Sequence, residues 1–136
     1  MFEVFDHTAD LGLRIEAAEL NSLFSEAGRA LLSVIVSNPD AVQPRETRTL
    51  HVAGHDLEYL LVDWLDELLY LFESKRFLAC EFETTFDDTG LAAAVRGESC
   101  DPERHQLAHE VKAITYHGLV VEQLPNGWRA EVILDI

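Results

Sequence analysis

A chain of 136 residues, 48% hydrophobic and 26% charged, has the size and balance of one globular domain that buries a core without disulfide or metal staples. Its formal net charge of −15, from 25 acidic against 10 basic residues, repels nucleic acid phosphates, so direct high-affinity binding of RNA or DNA is not expected. A basic protein partner or a bound cation suits such a surface better, although acidity also serves solubility. Cys80 and Cys100 lie too far apart for a Cys-x-x-Cys redox or zinc motif and read as reduced thiols, with a disulfide left open. The opening MFEVFDHTAD has neither the basic nor the apolar segment of a secretory signal. The apolar stretches LEYLLVDWLDELLYLF and ALLSVIV are interrupted by charge or too short to cross a bilayer. The expected location is the cytoplasm, with no membrane association.

Along the chain, residues 2–5 read as a short strand, and residues 11–16 alternate apolar and polar as a half-buried strand does. The DHTAD stretch joins them. Asn21 or Ser22 is positioned to cap a helix whose apolar face is Leu20, Phe24, Ala27, Leu31 and Val34 or Ile35. SNPD and Pro44 end it, and a strand at 47–53 follows. Asp56 is placed to cap the longest helix, which buries Leu57, Leu60, Leu61, Trp64, Leu65, Leu68 and Phe72. Asp63, Asp66 and Glu67 fall on its other side, read as a solvated face, and Lys75 and Arg76 complement the dipole at its end.

Residues 77–86 and 91–96 form two runs joined by DDTG, a hairpin signal. A polar connection carrying Pro102 leads to strand-like runs at 111–117 and 119–124. Pro125-Asn126-Gly127 turns the chain into a closing strand in which Trp128, Ala130, Val132 and Leu134 alternate with Arg129, Glu131, Ile133 and Asp135. Two main helices with mostly antiparallel strands predict a single α+β domain spanning residues 1–136, its helices packed on β-sheet faces.

Candidate chemistry gathers at the two ends of the sequence. Ile136 as last residue presents a terminal carboxylate beside that of Asp135, and Asp10 joins them if the first and last strands neighbour each other. Three anionic groups about 5 Å apart repel by roughly 3 kcal/mol per pair at an effective dielectric near 20. Such a cluster spreads, takes up protons or holds a cation, and all-oxygen donors suit Ca²⁺, Mg²⁺ or Mn²⁺ rather than zinc. From spacing alone, a capped turn and an exposed terminus remain the plainer reading. Lys112 is in the same position: a solvated edge residue on pattern, or a positive handle for phosphate or carboxylate beside the acidic cluster. His105 and His109 stand four apart, a zinc spacing if helical, yet no His-Glu-x-x-His or cysteine partner accompanies them. No Gly-rich phosphate loop, nucleophile elbow or Ser-His-Asp arrangement is legible.

Taken together, DHTADLGL, HDLEYLLVDWLDELLYL, GES-x-D-xx-RH, EVKAITYHGL and the closing W-x-A-x-VILDI resemble the archease family across essentially the whole chain. The resemblance implies an α+β fold and a non-catalytic cofactor of an RtcB-type RNA ligase in tRNA splicing and RNA repair. It would promote guanylylation of the ligase and multiple turnover, and broaden nucleotide use. It further implies metal ligands at Asp10, Asp135 and Ile136, the last through main-chain oxygens, with Lys112 on the same functional surface. His7 and Thr8 are then expected to orient the loop, His7 from outside the ligand set, against a satisfied structural histidine. Asp6 reads as a solvated turn residue. The rival readings are a metal-dependent hydrolase using the same carboxylates and a general chaperone or interaction module docking through Asp63, Asp66 and Glu67. The identity of the cation, the strand order, the oligomeric state and the RNA served stay open at this point.

Overall fold

The structure, a computed structural model, describes residues 1–7 and 9–136. Strands β1 (Phe2–His7), β2 (Asp10–Ala17), β8 (Gly127–Asp135) and β6 (Ala113–Ile114) lie side by side in that order, with β7 (Val120–Leu124) also paired to β8. A second, antiparallel sheet has the order β3 (Glu46–Ala53), β5 (Gly90–Ser99), β4 (Phe77–Asp87). Helix α1 (Leu20–Ile35) packs on β2 of the first sheet and on β4 of the second, while α2 (Leu57–Lys75) reaches β3, β4 and β6. The two helices and two sheets share one core, and the Trp64 indole donates to the Phe24 carbonyl at 2.8 Å to tie the helices together.

Alternation in the first sheet sorts residues cleanly. Leu11, Leu13 and Ile15 of β2 and Ala130, Val132 and Leu134 of β8 are buried on the helix side. Asp10, Gly12, Arg14 and Glu16 therefore take the outer face, together with Arg129, Glu131 and Asp135. Gly12 is needed there because the Phe5 ring lies across it, 2.2 Å from where a Cβ would stand.

Several sequence expectations hold. Asp56 caps α2 by accepting from the Glu58 and Tyr59 amides at 3.0 and 3.2 Å, and Arg76 ends the helix in a left-handed conformation. The DDTG hairpin closes β4 on β5, and Pro-Asn-Gly closes β7 on β8. Others need correction. Helix α1 begins at Leu20 with Glu19 in the cap position and no side-chain cap bond, so Asn21 and Ser22 sit inside its first turn. The run at 111–117 contributes only Ala113–Ile114 as strand, because β7 already pairs with Gly127–Glu131 on the same edge of β8. The chain turns between them, Leu119 N–H donating to the Tyr116 carbonyl.

Leu13, fully buried between β1 and β8, tests how far this sheet depends on its core face. Leu13→Ala is expected to lower the free energy of unfolding by about 2–5 kcal/mol in urea denaturation.

Candidate site at the meeting of the chain ends

Register places the candidate residues in one row. His7 faces Asp10 across β1–β2, Asp10 faces Asp135 across β2–β8, and Asp135 faces Ala113 across β8–β6. Residues directly opposite one another share a face of the sheet, so the side chains of His7, Asp10 and Asp135 all stand on the outer face at one end. Ile136 follows immediately. The turn entering β2 holds Ala9 at φ +66°, a conformation uncommon for a residue with a side chain. Thr8 lies outside the described residues. Asp6 is exposed, but within β1 rather than in a turn.

Charge balance distinguishes this end from the rest of the outer face. Arg14 pairs with both Glu3 and Glu131, the latter at 2.9 Å, and stacks on Phe5 at 4.6 Å. Arg129 pairs with Glu16 at 2.8 Å and lies 3.8 Å from Glu122. Asp10 and Asp135 have no arginine or lysine within ion-pair distance among the described residues. Like charges held directly opposite across a ladder repel, and the basic group nearest to Asp10 among the described residues is the His7 imidazole.

His7 is the second unusual feature. Its Nδ1 is buried without a hydrogen-bond partner among the described residues and stands 3.9 Å from the Asp10 carboxylate, too far for a hydrogen bond. Its ring meets His117 edge-on at 5.6 Å. The expectation that His7 and Thr8 orient the loop rests partly on Thr8, outside the described residues; the structure shows only that His7 Nδ1 does not bond Asp10 directly. A buried imidazole nitrogen with no partner beside two unpaired carboxylates is a surrounding that a cation would complete. Side chains alone do not complete a metal shell: no three His, Cys, Asp or Glu side chains converge among the described residues. Two carboxylates with main-chain oxygens of Ile136 and water fit the many-oxygen shell of a hard divalent cation better than a closed tetrahedral zinc site.

Lys112 meets the site through its backbone. Its amide donates to the Asp135 carbonyl at 2.7 Å, but Ala113 is the residue sharing the face of Asp135. The Lys112 side chain goes to the helix side, lining a recess with Asp66, Glu67, Tyr70 and Glu73.

The zinc spacing of His105 and His109 is overturned by connectivity. His105 is buried, accepting from the Asp101 amide at Nδ1 (2.8 Å) and contacting Glu98 through Nε2 (3.0 Å), so both nitrogens are engaged. His109 is exposed in a segment without helix. The GES-x-D-xx-RH residues instead fasten the connection to the core. Glu98 accepts from Arg104, His105 and the Gln43 amide. The connection is tied further on to the end of α1, through Ala108 N–H to Ile35 and His109 N–H to Val34. Burial pushes the Glu98 carboxyl up, but the bonds from Arg104, Gln43 and His105 outweigh it and hold it at about 2. The sequence offered His105 only as half of a zinc spacing and gave Glu98 and Arg104 no role; an acid, an arginine and a histidine within eight residues were the available signal.

With the fold and this row of residues in place, comparison with known proteins is informative. The model of the Archease protein family (MTH1598/TM1083) matches residues 2–136. The chain belongs to the archease family. It is 40% identical over 140 residues to the protein archease of Pyrococcus abyssi, covering 99% of this chain and 98% of that one. Identity to the protein archease of Sulfurisphaera tokodaii is 35% over 137 residues, again 99% and 98%. The solution structure of Methanobacterium thermoautotrophicum protein 1598 aligns with a TM-score of 0.85 at 33% identity, over 99% of this chain and 98% of that one. A crystal structure of a Thermotoga maritima archease, described as a possible chaperone, shares the fold with a TM-score of 0.68 at 21% identity, covering 100% and 98%. No described helix is long and apolar enough to cross a membrane.

The low Glu98 value carries a pH signature. A carboxyl held below its unfolded value stabilises the fold above about pH 4.5, and that contribution is lost as pH falls toward about 2. Glu98→Gln is therefore expected to melt well below the wild type at neutral pH, with the gap closing in thermal melts taken below pH 4.

Proposed function

We propose that this archease is a non-catalytic, cytoplasmic activator of an RtcB-type RNA ligase in tRNA splicing and RNA repair, acting through the Asp10–Asp135 end of its first sheet. The observation that carries this reading is the pair of facing, uncompensated carboxylates, on a face whose other acids are matched by Arg14 and Arg129. Asp10, Asp135 and main-chain oxygens of Ile136 would hold a divalent cation, Ca²⁺, Mg²⁺ or Mn²⁺, with His7 and His117 beside it. Such a cation supplies positive charge toward phosphate or carboxylate oxygens.

The chain's own residues do the rest. A ligase active site that handles RNA and metal is positively charged, and the acidic surface here is steered toward it. Asp10 and Asp135, fixed by the β2–β8 ladder, present their carboxylates at the mouth of that site in a constant spacing. Occupying the mouth favours the ligase conformation in which its nucleophile takes up guanylate, and it competes with retained product, which supports repeated turnover. Lys112 is tied to this end through its amide, which donates to the Asp135 carbonyl, while the residue itself lines the recess beside α2. A hydrolase using the same carboxylates would want a substrate cleft around them; the recesses of about 620 and 530 Å³ are lined by α2 and the 107–114 segment instead.

Two measurements test the reading together. Asp10→Ala and Asp135→Ala should weaken divalent-cation binding, by calorimetry, by about 10-fold or more, since each removes a charged donor. The same variants, with Lys112→Ala, should lose stimulation of ligase guanylylation while melting as cooperatively as the wild type. Normal stimulation by all three folded variants would reject the site.

A further inference from the structure

Two recesses run together along the exposed flank of α2. One, of about 620 Å³, has Ile35, Leu69, Phe72 and Leu107 as its apolar lining; the other, of about 530 Å³, is bordered by Asp66, Glu67, Tyr70 and Ile114. Leu69, Glu73 and Lys112 line both, which makes them one groove. Its ends differ in chemistry. The apolar end leaves Leu107 49% exposed, and Tyr70 stands 65% exposed over the acidic end. There the charged groups acting on Asp66 are acids, and burial followed by Asp63, Glu67 and Glu73 raises its carboxyl. Lys112 lines both recesses and Arg76 the apolar one, so the acidic rim is the side formed by Asp66, Glu67 and Glu73. The groove includes Ala113, the residue paired with Asp135, so it runs beside the end of the sheet described above.

We propose that this groove is the docking site for an extended, basic segment of the protein partner, with an apolar side chain over Leu69, Phe72 and Leu107 and arginine or lysine side chains against Asp66, Glu67 and Glu73. The proposal rests on the reading that a protein partner meets the Asp10–Asp135 end; it names the surface that supplies affinity. The charge decides the class of occupant. Nucleic acid would set phosphates against the acidic rim, and a second copy of this chain would bring another net −15 against it. A basic polypeptide meets neither penalty and covers the exposed Leu107 and Tyr70 as interface anchors do. Continuity with Asp135 then lets one partner engage the groove and the sheet end at once, so that docking and activation are separable functions of neighbouring surfaces.

The test uses exposed positions, where substitution leaves the core intact: Leu107→Asp, and the double reversal Asp66→Lys with Glu67→Lys, with folding checked by circular dichroism. Affinity for the RtcB-type ligase is measured by calorimetry, and guanylylation at saturating activator. Both groove variants should bind about tenfold or more weakly. The double reversal should also flatten the salt dependence of binding, and saturating concentrations of either variant should restore stimulation. Asp10→Ala should bind nearly as the wild type without stimulating. Unchanged affinity in both groove variants overturns the docking site, whatever Asp10→Ala does. Groove-dependent binding by a wild-type protein that never stimulates the ligase upholds the docking site and overturns the functional reading instead.

Discussion

The antiparallel pairing of β2 with β8 sets everything else at this site. It runs from Asp10↔Asp135 to Ala17↔Trp128 and joins segments more than a hundred residues apart. Closing so long a loop is entropically costly, and the return comes from burying Leu11, Leu13 and Ile15 against α1 beside Val132 and Leu134 of β8. The same apolar alternation fixes the register. A slip of one residue would turn the apolar set of one strand, Leu11, Leu13 and Ile15 for β2, outward and drive Asp10 into the core, so the core itself enforces the facing carboxylates. Hydrophobic packing on one face thus holds an electrostatic conflict on the other.

That conflict is local. Along the outer face, Arg14 and Arg129 bridge strands and pair with Glu3, Glu131 and Glu16, so each of these acids has a cationic partner. At the end of the ladder this scheme stops, and His7 adds a buried nitrogen with no partner. Among the described residues, the buried side-chain nitrogen without a partner lies at this end of the sheet, where the turn between β1 and β2 meets the end of β8. Meanwhile the 101–112 connection is clamped by Glu98, His105 and the end of α1 before it delivers Lys112 to the Asp135 carbonyl. The groove under α2 and the sheet end therefore sit on one rigid frame.

Much of this was legible from the sequence where the physics is local. Period-two alternation located β2 and β8, the DDTG and Pro-Asn-Gly turns located their hairpins, and the apolar stripe and Asp56 located α2 with its buried face. Non-local choices were not legible in this way. Spacing offered no reason to pair residue 10 with residue 135; only the resemblance of five motifs to a family pointed there. The run at 111–117 carries a strand pattern throughout, yet β8 had one free edge and β7 takes most of it. For the same reason, the face on which Lys112 emerges depends on which of its neighbours pairs with β8. His105 and His109 kept a metal spacing that became irrelevant once Glu98 and the Asp101 amide engaged both nitrogens of the first. The expected cap of α1 by Asn21 or Ser22 does not form because the helix starts earlier, at Leu20, with Glu19 in the cap position.

The cation site we propose lies where the turn between β1 and β2 meets the end of β8. Manganese added in substoichiometric amounts to the isotope-labelled protein, followed by NMR line broadening, examines that directly, because a paramagnetic ion marks every amide near it. Signals from His7, Asp10, Asp135 and Ile136 should broaden together while those of Asp63, Asp66 and Glu67 stay sharp. Broadening that begins on the α2 acidic face, or that reaches only one of the two strands, would contradict it.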